Sequence, residues 1–132
     1  MINAFRFTVT IFNKFKSNGI TTWNKTILDN CYFSSVLKRS LSDKELSDTS
    51  IFVCRIPENS AYTTDYNGEP DKFTLTPGDI IVKGAVDDII QDVSGKRAAD
   101  ILNKYKNKCF TVNEVSDNTL LANKPHYRAS GV

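Results

Sequence analysis

The stretch that most restricts this chain runs from Asp71 to Asp88. Phe73, Leu75 and the block Ile80-Ile81-Val82 are strand formers, because aromatic and β-branched side chains suit a pleated, half-buried surface. Between them stands Pro77-Gly78-Asp79. Proline presets φ at the first central turn position, and glycine accepts the positive φ that a type II turn needs next. Gly84 lets the chain bend as the second strand ends. The expectation is two short strands around a tight corner, the second well buried, with no catalytic group implied.

The strand signal recurs along the chain. Phe5, Phe7, Val9 and Ile11 alternate with Arg6, Thr8 and Thr10, the period-2 pattern of a strand with one wet face, spanning Ala4 to Phe15. Phe12 and Phe15 break the pattern and mark where a neighbour covers that wet face. Asn18-Gly19 suits a hairpin turn. Trp23–Leu28 and Cys31–Leu37 read as a second and a third strand parted by Asp29-Asn30, and Ile51–Ile56 as a fourth, ended by Pro57. Lys38–Ser50 and Glu58–Lys72 are polar and read as two long excursions, the first with a helical turn near Asp43 to Leu46. Ser94 suits the N-cap of a helix over Gly95–Lys106, whose Ala98, Ile101, Leu102 and Tyr105 share one face. Cys109–Val115 alternates again, and a turn at Ser116–Thr119 leads into Leu120–Ala122 and then Pro125-His126-Tyr127. The fold class is mainly β: a small antiparallel β-barrel or sandwich-like meander with one short α-helix near the C-terminal third. Closure into a barrel removes strand edges that a meander leaves open.

Length and charge narrow the partners. At 132 residues the chain reads as a single domain, 1–132, able to bury roughly two-thirds of its unfolded surface without staples. Seventeen basic against fifteen acidic residues leave +2, which provides no global field for a polyanion. Cys31, Cys54 and Cys109 are odd in number, far apart and without Cys-x-x-Cys spacing, so reduced buried thiols are expected rather than a disulfide framework or zinc site. No basic leader precedes an apolar core, and no run approaches the ~20 apolar residues that span a bilayer. A soluble protein of a reducing cytoplasm, without a membrane partner, is expected.

Phe73–Gly84 together with Pro125-His126-Tyr127 resembles small bacteriophage proteins encoded among the head–tail joining genes. The Thr8–Asn13 strand, the Trp23–Leu28 segment, Asn103-Lys104-Tyr105 and Phe110–Val112 fall in the same order as in that family. The resemblance implies a β-barrel connector (neck) subunit of the stopper or head-completion type, and no enzyme. It implies a homo-oligomeric ring, with a portal or adaptor protein on the head side and a tail terminator or tail tube on the other. Genomic DNA would pass through the lumen without sequence-specific binding. The place implied is the neck of the virion, after assembly in the host cytoplasm. Within that reading, Lys38, Arg39, Lys44, Glu45, Tyr62, Tyr66, Asp71, Lys72, Asp87, Asp88 and His126 are the candidate interface residues. A tail-terminator or tail-completion subunit is the neighbouring alternative.

Chemistry finds little support in the residues. His126 is the only histidine; a Cys-His nucleophile would need a thiol beside it and an orienting third group. The Asp87–Asp92 run puts Ile89 and Ile90 where a calcium loop needs ligands and a glycine. The six glycines are scattered singly, so no phosphate-binding loop is formed. Catalytic, metal and cofactor sites are therefore not expected. The alternative from another class is a single-stranded nucleic-acid-binding barrel using Phe5, Phe7, Phe12 and Phe15 interleaved with Arg6, Lys14 and Lys16.

Overall fold

The computed structural model describes residues 5–41, 46–69, 71–120 and 125–132. Six strands and one helix follow in the order β1 (Phe7–Ser17), β2 (Ile20–Leu41), β3 (Leu46–Pro57), β4 (Ile80–Lys83), α1 (Ala98–Lys104), β5 (Cys109–Asn118) and β6 (His126–Gly131). They form a closed antiparallel barrel in the spatial order β1-β2-β3-β6-β5-β4. The mainly β barrel with one short helix is the fold expected from the sequence.

Two strands turn the corners of the barrel. The first half of β2 pairs with β1, from Ser17↔Ile20 to Phe7↔Cys31, and the second half pairs with β3, from Tyr32↔Arg55 onward. The switch falls at Asn30, which adopts φ 59°, a left-handed conformation that asparagine tolerates better than most residues. Asp29-Asn30 is thus a bend inside one continuous strand and not a break between two. β5 behaves likewise: Cys109 to Thr111 pair with β4, and Val112 to Asn118 pair with β6 after an irregularity between Val112 and Glu114. At this irregularity Gly131 of β6 packs so close to the Thr111 carbonyl that a Cβ would overlap it.

The anticipated type II turn forms at Thr76–Asp79. The Asp79 N–H donates to the Thr76 carbonyl (3.1 Å), and Gly78 takes φ 100°. The buried Asp79 carboxylate holds the corner in place. Its Oδ2 accepts from the Thr76 N–H (2.9 Å), the Thr76 hydroxyl (3.0 Å) and Asn13 Nδ2 (2.9 Å), while Oδ1 accepts from the Lys14 N–H (2.9 Å). Asn13 also donates to the Thr74 carbonyl (2.7 Å). Burial pushes the Asp79 carboxyl above its ordinary value, and the four donors oppose that rise.

The core has two compartments. Val9, Ile11, Phe33, Phe52, Phe73, Ile81, Phe110 and Val112 fill the barrel. Phe12, Ile80, Val82, Val86, Ile90 and Ile101 form a second cluster with Trp23, Leu102 and Tyr105. The alternating residues of β4 therefore divide between the compartments, which explains a strand apolar at three successive positions. Phe12 breaks the alternation of β1 because the helix covers that face.

Other expectations need revision. Within Lys38–Ser50, residues 38–41 and 46–50 are strand and not loop: β2 and β3 continue as paired strand ends to Leu41↔Leu46, and the helical turn expected near Asp43 lies outside the described residues except for Leu46, which is strand. The described part of Glu58–Lys72 is an irregular excursion as expected, but its tyrosines lie on the chain's own residues: Tyr62 stacks on Tyr127 (3.9 Å between centroids) and Tyr66 packs edge-on against Phe15. Phe73–Leu75 is not a strand but a buried segment with a single parallel bridge, Tyr62↔Phe73. The helix is shorter than Gly95–Lys106, with Arg97 as N-cap in place of Ser94. Gly95 at φ 84° ends the turn before it, and the Arg97 N–H donates to the Asp100 carboxylate (3.1 Å). Leu120 lies in a turn, and 121–122 lie outside the described residues.

Asp79→Ala strips an acceptor from four donors in a buried corner. Given about 1–3 kcal/mol for an unsatisfied buried group, a loss of about 3 kcal/mol and a fall in Tm of about 10 °C are expected in calorimetry. A shift within about 2 °C would show that the corner does not hold the barrel. Gly131→Ala should destabilise by a similar amount through overlap with the Thr111 carbonyl, whereas Gly19→Ala, with open space around its Cβ, should cost about 1 kcal/mol for its left-handed φ.

Candidate functional site

Six β2–β3 pairs, from Val36↔Ile51 to Leu41↔Leu46, lie beyond Phe52↔Gly131, the last pair that β3 makes with β6. At ~3.3 Å per residue they extend roughly 20 Å as a two-stranded ribbon. No other described strand pairs with either edge. Val36, at the base of the ribbon, is 59% exposed. Lys38 and Arg39 lie on this ribbon, opposite Thr49 and Asp48. Lys44 and Glu45 lie outside the described residues.

The other expected interface residues do not join them. Tyr62 is held by Tyr127 and Phe73. The Tyr66 hydroxyl accepts from Asn24 Nδ2 (2.6 Å). Each tyrosine is thus packed over the chain's own strands. Asp71 is exposed, and the Lys72 N–H donates to the Glu69 carbonyl (3.2 Å), which tightens the loop. Asp87 is exposed, while Asp88 accepts from the Tyr105 hydroxyl and from Lys104 Nζ (2.7 Å). Those partners, Lys104 first, hold the Asp88 carboxyl below its ordinary value. The Asp87–Asp92 run is therefore a connector anchored by buried Val86 and Ile90.

His126 is buried at the start of β6, opposite both Pro57 and Asn118, with Asn118 Nδ2 3.3 Å from its Nε2. Cys109 stands at the far end of β5, nine positions from Asn118, or roughly 30 Å along the strand. That separation rules out a Cys109–His126 pair. The three thiols are free and buried, as expected. Burial pushes the Cys31 thiol up to about 12 and raises Cys54 and Cys109 as well. A thiol reagent at pH 8 should label none of the three cysteines in the native chain and all three after unfolding. Rapid native labelling would contradict the buried assignment.

The aromatic face considered for single-stranded nucleic acid is not assembled. Phe12 lies under the helix, Phe15 packs against Tyr66, Phe7 packs against the barrel core, and Phe5 lies beside Tyr32 and His126. An open cleft of about 700 Å³ lies between Ile20–Trp23 and the segment Ile90–Ala98. Ile20 is 68% exposed beside it, and Ile27 farther along β2 is 45% exposed. From Ile20 to Leu28, β2 pairs with β1 on one side only.

With the ribbon, the one-sided edge and the cleft in view, comparison with known proteins gives one finding. Residues 5–132 match a family of unknown function (DUF6751). The chain belongs to that family. No curated protein matches this DUF6751 chain, and no solved structure does.

Sequence reasoning missed a second feature of this family member, on the outer face of the sheet β2-β3-β6-β5. Tyr32, Arg55, Arg128 and Ser116 form one cross-strand row. Period-2 alternation was enough to turn each outward, since Cys31, Phe33, Cys54, Ile56, Tyr127 and Ala129 are buried. What no single strand reveals is that the two arginines are register partners.

Proposed function

We propose that this chain is a ring-forming structural subunit of a tailed-phage neck, a stopper-like connector between portal or adaptor and tail. The observation that carries the proposal is the ribbon. A two-stranded ribbon is marginal by itself in water, and its unpaired edges are templates for another chain. In a ring, the ribbon of one copy lies along the one-sided edge Ile20–Leu28 of the next, where exposed Ile20 lines the cleft and exposed Ile27 lies farther along the strand. Such a heterologous contact closes by rotation. The barrel is the rigid body, and DNA passes through the lumen of the ring. The sequence resemblance to head–tail joining proteins supports this reading. The seven-residue helix favours the stopper type over a tail terminator, which is expected to pack longer helices across its sheet.

The ribbon can be removed without touching the barrel. Leu37 and Ser50 are register partners, so an Asn-Gly pair replacing residues 38–49 closes a two-residue hairpin. Light scattering should show the full chain forming rings at high concentration or on its head-side partner, and the shortened chain remaining a folded monomer. Ring formation by the shortened chain would overturn the proposal.

A further inference from the structure

Arg55 and Arg128 stand directly opposite each other on β3 and β6, and neighbouring strands lie about 5 Å apart. Like charges in that arrangement are destabilising. Among the described residues neither arginine takes part in an ion pair, in contrast to Arg97 with Asp92 and Lys104 with Asp88. The nearest acid on the same face by register is Glu114, opposite Ser130 and one row away. Next to the pair, the Arg55 guanidinium lies over the Tyr32 ring at 4.7 Å, and Phe5 tilts against Tyr32 at 6.1 Å. A guanidinium stacked on a ring has its plane held while its N–H edge stays available to a planar or tetrahedral oxyanion. The Tyr32 hydroxyl titrates below its usual range, through Ser34 first and then Arg55.

Two adjacent cations, one lying over an aromatic ring, with no carboxylate between them, form a surface complementary to closely spaced negative charge. We propose that this outer face, centred on Arg55 and Arg128, grips the phosphate backbone of DNA. Arg128 and Arg55 each take a phosphate oxygen, Tyr32 and Phe5 keep the Arg55 fork in position, and no base edge is read. The bound polyanion turns the repulsion between the arginines into shared attraction. The +2 net charge supplies little long-range field, so binding depends on this pair. The inference needs only the monomer's sheet and does not rest on ring formation.

The test is fluorescence anisotropy of a labelled oligo-dT and of a labelled duplex, each titrated with the full chain across a range of KCl concentrations. Both probes should bind at low salt, and the doubly substituted R55Q/R128Q chain should bind at least tenfold more weakly. The slope of log affinity against log salt should become shallower by about 1.5 to 2, the loss of two phosphate contacts. Lys96→Gln on the far side should leave binding unchanged. Arg128→Gln alone should lose binding while keeping or raising the melting temperature, because it removes a like-charge contact; a purely structural arginine would instead lower it. Absence of binding to both probes at low salt, or equal binding and slope in R55Q/R128Q, would overturn the proposal. So would preferential binding of an acidic peptide over both oligonucleotides.

Discussion

The buried Asp79 carboxylate is the interaction on which the architecture depends. It collects the Thr76 N–H and hydroxyl, the Lys14 N–H and the Asn13 amide at one point, tying the type II corner to β1. The same corner reaches β5, because the Gly78 N–H donates to the Val112 carbonyl (2.9 Å) and the Val112 N–H to the Asp79 carbonyl (2.8 Å). β4 starts one residue later and is only four residues long, yet it is the strand that joins β1 to β5 and completes the barrel. So short a strand has few ladder hydrogen bonds of its own. Its register is set at the corner and at Gly84, whose N–H donates to the Thr8 carbonyl (2.7 Å) and whose carbonyl accepts the Thr10 hydroxyl (2.8 Å).

Much of this was legible in the sequence because it is local. The Pro77-Gly78-Asp79 turn, the Asn18-Gly19 hairpin and the alternation of Phe7 to Ile11 each depend on residues a few positions apart, and all three are present. The failures are non-local. Lys38–Ser50 is polar, which suits a loop by composition, but a ribbon outside the barrel has no core to face and need not be apolar. Tyr62 and Tyr66 looked available in a polar segment; Tyr127 and Asn24, 65 and 42 positions away, hold them. Arg55 and Arg128 are unremarkable surface residues until the β3–β6 register sets them side by side. Contacts between distant parts of the chain, which one sequence does not encode by pattern, decided the tyrosine and arginine cases, whereas the ribbon was hidden by its polar composition.

The functional features divide along the same lines. The barrel interior and the helix-covered cluster hold the buried apolar residues, leaving stability to the body. What extends from that body is a ribbon with free edges at one end, and what the body displays on its β2-β3-β6-β5 face is a cationic pair beside aromatic rings. On the proposed reading, a subunit that meets its neighbours through backbone edges and DNA through phosphates would use those two devices. The titratable groups fit that division: Asp79 fixes a corner, Asp88 fixes the helix, and the thiols are buried.

The proposed place of this chain is the neck of a phage particle. Cryo-electron microscopy of virions from a host producing this chain tests it most directly. A ring of barrels between portal and tail, with each ribbon laid along its neighbour, is the expected result. Finished particles with no density for the chain at that position would contradict it.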